Sequence, residues 1–98
     1  MTPEIAARLE NLHIQWTLNE KGWVLFCRGD LAVMASLNGS TFSLGSTGVM
    51  TDNGLSYLIW RNGQPLLAAH GGKESAAMQE QVEAIQRFSM DLESALKE

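Results

Sequence analysis

Few side chains in this sequence are of types that do chemistry, and their spacing decides what each could do. Cys27 is the only cysteine; as a nucleophile or redox centre it would need a neighbouring cation or base to hold its thiolate. It sits in the alternating run Trp23-Val24-Leu25-Phe26-Cys27-Arg28 with no CxxC partner, and the adjacent Arg28 points to the opposite side of an extended chain. The pattern assigns Cys27 to packing. His13 and His70 lie far apart and belong to no HExxH or Cys/His spacing, so no metal site is expected.

His70-Gly71-Gly72-Lys73-Glu74-Ser75 invites comparison with a phosphate-binding loop. The required first glycine is replaced by Leu67, Glu74 stands where a hydroxyl should follow the lysine, and the strand before it reads as antiparallel. No nucleotide cofactor is expected. Trp23, Tyr57 and Trp60 could stack on bases, but base-stacking surfaces sit in basic grooves, and only Lys21, Arg28 and Arg61 are near them. Packing in a core or an interface is the reading. Asp30 and Asp52 fall in turns, where aspartate is favoured for local hydrogen bonding, and no carboxylate pair has a spacing that commits it to acid–base work. The sequence therefore assigns no catalytic, cofactor-binding or metal-binding residue.

Charge narrows the partners. The chain of 98 residues carries a formal charge of -4, which argues against a general affinity for nucleic-acid backbones. Between residues 12 and 72 the only charged side chains are Glu20, Lys21, Arg28, Asp30, Asp52 and Arg61, and they balance; the excess acid lies in residues 73–98. With no charged-then-apolar leader and no apolar run of about 18 residues, the expectation is a cytoplasmic protein with no membrane partner. One domain spanning residues 1–98, large enough to fold without a metal or disulfide, follows from length.

The elements that must position these residues are set by turns. Asn19-Glu20-Lys21-Gly22 has the form of a type I turn with a glycine bulge, Gly29-Asp30 suits a two-residue primed turn, and Asn38-Gly39 is a strong hairpin signal. The registers they imply set Leu18 opposite Val24, Trp16 opposite Phe26 and Ile14 opposite Arg28. They then set Phe26 opposite Val33, Val24 opposite Ala35, Ala35 opposite Phe42 and Val33 opposite Leu44. Opposed residues share a sheet face, so one face collects this apolar set and is a core. The other face gathers Trp23, Leu25, Cys27, Ala32, Met34 and Ser36. The middle of the sheet is apolar on both sides and needs a second layer, either the C-terminal helix or another copy of the chain.

Thr2-Pro3-Glu4 begins a helix of about ten residues with Ile5, Leu9 and Leu12 on one stripe. The segment 45–51, between glycine-rich turns, reads as a loop or short strand. A fourth hairpin around Asn62-Gly63 faces Trp60 with Pro65, Ile59 with Leu66 and Leu58 with Leu67, and the proline suggests that its second strand is an edge. Gly71-Gly72 then ends the sheet. A helix of about 22–25 residues is expected from Lys73 or Ser75, with Met78, Val82, Ile85, Phe88, Ser89, Leu92, Ala95 and Leu96 on its apolar stripe. At about 35 Å its last turns would overhang the sheet. Glu83 with Arg87 and Glu93 with Lys97 suit i,i+4 pairs.

The expected fold class is α+β: a short N-terminal helix, an antiparallel meander of five to six strands, and a long amphipathic C-terminal helix packed on the sheet. No family's motif residues can be placed on the chain, and nothing about function is carried over from its element order. The leading functional reading is a small non-enzymatic interaction module, an adaptor, chaperone or inhibitor, expected to be homodimeric, whose partner is another protein or a second copy of itself. Its candidate surface is Trp23, Leu25, Met34, Tyr57, Trp60, Phe88, Leu92 and Leu96. The alternative is a small-molecule or sensory module with an apolar pocket between sheet and helix, for which Met34, Met50, Met78 and Met90 would suit an adaptable lining. A thiol-dependent enzyme using Cys27, or His70 with Lys73, is the third reading, and a nucleic-acid binder the fourth.

Overall fold

The computed structural model of the chain describes residues 2–39, 41–51, 54–69 and 71–97. Its elements are α1 (Pro3–Asn11), β1 (Gln15–Leu18), β2 (Trp23–Arg28), β3 (Leu31–Asn38), β4 (Thr41–Thr51), β5 (Gly54–Arg61), β6 (Gln64–Ala69), β7 (Glu74–Ala76) and α2 (Gln79–Leu96). The strands form one antiparallel sheet in the order β1-β2-β3-β4-β5-β6-β7, one or two strands more than the sequence implies. The α+β class is as expected.

The turn chemistry sets most of the registers. Asn19 Oδ1 accepts from the N–H groups of Lys21 and Trp23 at 2.9 and 2.8 Å, and Gly22 takes φ +82°, which fixes Trp16 opposite Phe26 and Leu18 opposite Val24. Asn62 and Gly63 both take positive φ, as a type I′ turn requires, and the Trp60–Pro65, Ile59–Leu66 and Leu58–Leu67 pairs follow. The third hairpin differs by two residues. Asn38 pairs with Thr41 instead of occupying the turn, so Leu37 meets Phe42 and Ala35 meets Leu44. A shift of two preserves side-chain parity, and the core face is unchanged.

β4 is where the sheet changes course. Gly45 and Ser46 stand opposite the single residue Met34 before pairing resumes at Val33–Thr47, a bulge that absorbs the glycine-rich segment into an 11-residue strand. β5 pairs with β4 only from Gly48–Tyr57 to Thr51–Gly54, while residues 58–61 pair with β6 alone. The two halves of the sheet splay apart there.

Two expectations about the C-terminal third are corrected. Gly71 and Gly72, at φ +99° and +92°, turn the chain back instead of ending the sheet, so Glu74–Ala76 pairs with β6 and β6 is not an edge. The helix accordingly starts late, at Gln79, and has 18 residues, about 27 Å at 1.5 Å per residue. It does not overhang: Ala95 is 2 % exposed in the core. Among the described residues neither Glu83–Arg87 nor Glu93–Lys97 forms an ion pair; Glu83 accepts from Gln79 Nε2 instead, at 3.2 Å.

Both helices lie on the same side of the sheet. Ile5 and Leu9 of α1 and Phe88, Leu92 and Ala95 of α2 close over Ile14, Val24, Phe26, Val33 and Ala35 in one buried cluster, and Ile85 packs with Val49 and Leu67 in a second. Polar contacts fasten this layer. Arg28 Nη1 donates to the Leu12 carbonyl at 3.1 Å and to Asp91 Oδ2 at 3.0 Å, with its guanidinium 5.3 Å from the Phe88 ring centroid. Ser89 Oγ donates to Thr47 Oγ1 at 2.7 Å. Arg8 donates to the carbonyls of Ala95 and Lys97, satisfying acceptors at the end of α2.

Candidate interaction surface

The strand pairing that builds the helix-covered face also builds its opposite. Leu25 faces Met34, Trp23 faces Ser36 and Cys27 faces Ala32; Ala32 faces Gly48, which faces Tyr57; Tyr57 faces Ala68 and Ile59 faces Leu66. By parity all of these lie on one face. The described residues of α1 and α2 that pack on the sheet do so on its other face, and the open side carries Trp23 at 43 % and Met50 at 41 % exposure. Leu25, Met34, Tyr57, Ile59 and Leu66 are half-buried.

Gly48 sits at the centre of this face because nothing larger fits. A Cβ there would lie 1.8 Å from the Ser56 carbonyl oxygen and 2.9 Å from Tyr57 Cα. The glycine lets β5 press close to β4. Ala32, its neighbour on the other side, is fully buried although no helix lies above it, so the taller side chains around it form its cover. The surface is uncharged through the middle. Its ion pair is at the margin, where Arg61 meets Glu74.

The structure brings Trp23, Leu25, Met34 and Tyr57 together on this open face. It separates the other four members of the sequence-derived surface. Phe88 and Leu92 are fully buried against the sheet, Leu96 packs beside them, and Trp60, 56 % exposed, lies at the margin of the helix-covered side. Met50, Ile59 and Leu66 belong to the face and were not picked out. The Asn62-Gly63 register already puts Tyr57, Ile59 and Leu66 together; joining them to Trp23 and Met34 needs the β4–β5 register, which the glycines of residues 45–54 concealed.

The reactive candidates are dispersed. Cys27 is half-buried on the open face between Gln15 and Ala32. His13 is exposed at φ +59° in the α1–β1 link. Lys73 is exposed in the turn before β7, its carbonyl accepting from the Ala69 N–H at 2.7 Å. His70 and Asp52 lie outside the described residues. Among the described residues no hydrogen bond or ion pair links Cys27, His13 and Lys73, and no three His, Cys, Asp or Glu side chains are grouped to hold a metal.

A second concavity is on the helix side. Where β5 splays from β4, an open cleft of about 450 Å³ forms between Ser46, Thr47, Leu58 and Trp60 of the sheet and Ile85, Ser89 and Met90 of α2. No described helix is long and apolar enough to cross a membrane. Comparison of the chain with protein-family models, with curated proteins and with solved structures finds no match. Function is therefore argued from geometry.

Proposed function

We propose that this protein is a non-enzymatic interaction module that works by presenting the uncovered face of its sheet to another protein. The observation that carries the reading is the placement of both helices on one side, which leaves Trp23, Leu25, Met34, Met50 and Tyr57 together on the uncovered, apolar face. Apolar side chains left together at a surface mark a binding site, and exposed tryptophan and methionine are typical of binding surfaces. The proposal includes a cytoplasmic location, which rests on the composition of the sequence. Site-specific photocrosslinking in the source cell tests it. A benzophenone side chain introduced at position 50 is expected to give a discrete protein adduct, and one at position 83 on the outer side of α2 is not. Equal adducts from both positions, or none from position 50, would remove the reading.

The splayed cleft favours a second reading, a small apolar ligand held between Leu58, Trp60 and Met90. A thermal-shift screen checks it: stabilisation by an apolar compound that disappears in Leu58→Asp supports it, and a flat response from a broad screen counts against it.

A further inference from the structure

We infer that the partner on the uncovered sheet face is a second copy of this chain, docked sheet to sheet about a two-fold axis. The inference rests on the docking reading above and names its occupant.

Charge is the first argument. In a two-fold interface the same patch meets itself, so any unpaired charge near the axis faces its own kind. Among the described residues of β2, β3 and β4 the one charged side chain is Arg28, and it points to the helix side, where it holds Asp91, so these strands put no charge on the open face. At its margin Arg61 is already neutralised by Glu74. The surface is thus self-complementary, and a strongly charged partner finds no counter-charge on it. The acid of the molecule lies elsewhere: Glu80, Glu83 and Glu93 are exposed on α2, on the far side of the sheet. Pairing through the open faces puts these helices outermost. They are then farther apart than the sheets, which stack about 10 Å apart, and beyond the screening length of about 8 Å at physiological salt. Pairing through α2 would instead set a net negative surface, Glu80, Glu83 and Glu93 with the single exposed Arg87, against its own kind.

Area is the second argument. Strands β2 to β6 at about 4.8 Å spacing and about six residues long give a footprint of at most roughly 24 by 20 Å, reduced where residues 58–61 of β5 leave β4. Over both copies this is about 1,000 Å² before side-chain relief is counted, at the lower bound for a specific interface. An interface at that bound is expected to be reversible. Trp23 and Met50, the exposed large apolar side chains of the face, are the anchors.

Sedimentation of the full chain at about 5 to 500 μM tests this. The mass should rise from the 10.8 kDa of one chain toward twice that value. Trp23→Lys and Met50→Lys, at positions 43 % and 41 % exposed, should each weaken association by at least about tenfold with the circular dichroism unchanged. Labelling of Cys27 by a maleimide should slow as concentration rises in the wild type and not in the variants. A monomer at every concentration, or variants that associate like the wild type, overturns the inference. The two readings fail separately: a monomer whose position 50 crosslinks to a different protein loses the pairing and keeps the docking surface, whereas a monomer with no adduct loses both.

Discussion

At the scale of single residues the sheet depends most on a missing methyl group. A Cβ on Gly48 would meet the backbone of β5, with contacts of 1.8 and 2.7 Å to the Ser56 carbonyl oxygen and carbon, and a paired strand cannot step aside as a side chain would. Gly48→Ala is expected to lower stability by about 3 kcal/mol, the upper range for overpacking, seen as a lower urea midpoint with an unchanged slope. Gly45→Ala, whose Cβ would lie 3.0 Å from the Met34 carbonyl oxygen, should cost clearly less. Arg28 is the complementary case, a charge held on the core side. Its Nη1 serves Leu12 and Asp91 together while the guanidinium covers Phe88. Replacing it with methionine leaves the Leu12 carbonyl and a partly buried carboxylate without a donor. The expected loss is about 2 kcal/mol, since solvent reaches a quarter of the Arg28 side chain and a third of that of Asp91 and limits what the ion pair contributes. Arg28→Lys should recover less than half, because an ammonium cannot also lie flat on the ring; a double-mutant cycle with Asp91→Asn isolates the pair.

At the scale of elements, the end of the sheet turns on Gly71 and Gly72. Both hold positive φ, a conformation that costs other residues about 1–2 kcal/mol each. Substituting both with valine is expected to free β7 while the β2–β3 ladder persists. Hydrogen exchange reads this directly: the Ala69 and Ala77 amides, which donate to Lys73 and Pro65 carbonyls, should exchange at least about tenfold faster, and the Phe26 amide should not. The same region shows where the sequence stops being legible. Turns built on Asn19, Gly29 and Asn62 dictate registers because their backbone conformations admit few alternatives, and the core face of Val24, Phe26 and Val33 follows from them; Trp16 and Leu18 share its parity but stay exposed, because β1 is an edge strand that the helices do not cover. Glu74-Ser75-Ala76 has no strand signature of its own; it is extended because β6 offers it an edge after the glycine reversal. Gly45 and Gly48 read as loop punctuation for a like reason, since a bulge and a close strand approach use the same residue type as a turn. The helix stripe of Val82, Ile85, Phe88 and Leu92 was visible, but its target was not. With both sheet faces apolar, periodicity cannot say which one a helix will choose. The α1 residues Ile5 and Leu9, which share the helix layer with Phe88 and Leu92, decide it, and such long-range packing leaves no local trace.

At the scale of the whole molecule, the separation of an uncharged face from an acidic one sets how assembly responds to solution conditions. Association through the sheet face buries apolar area and moves no charge out of water, so its dissociation constant should change by less than about twofold between about 0.05 and 0.5 M sodium chloride. Sulfate, which strengthens apolar burial by its exclusion from protein surfaces, should tighten it. Titration calorimetry of the dissociating dimer should give the heat-capacity change of apolar exposure, with binding showing a negative ΔCp. Assembly through the outer side of α2 would behave otherwise. There Glu80, Glu83 and Glu93 would face their counterparts, and chloride would promote association by screening them. The exposed edge strand β1 is a third possible contact, with Trp16 at 41 % and Leu18 at 55 % exposure, but its four residues offer far less area than the sheet face and would give a dimer that Trp16→Lys disrupts and Met50→Lys does not. Sedimentation across the salt series, carried out on the wild type and these two variants, separates the three geometries: indifference to chloride with sensitivity at position 50 is the outcome that belongs to the sheet face alone.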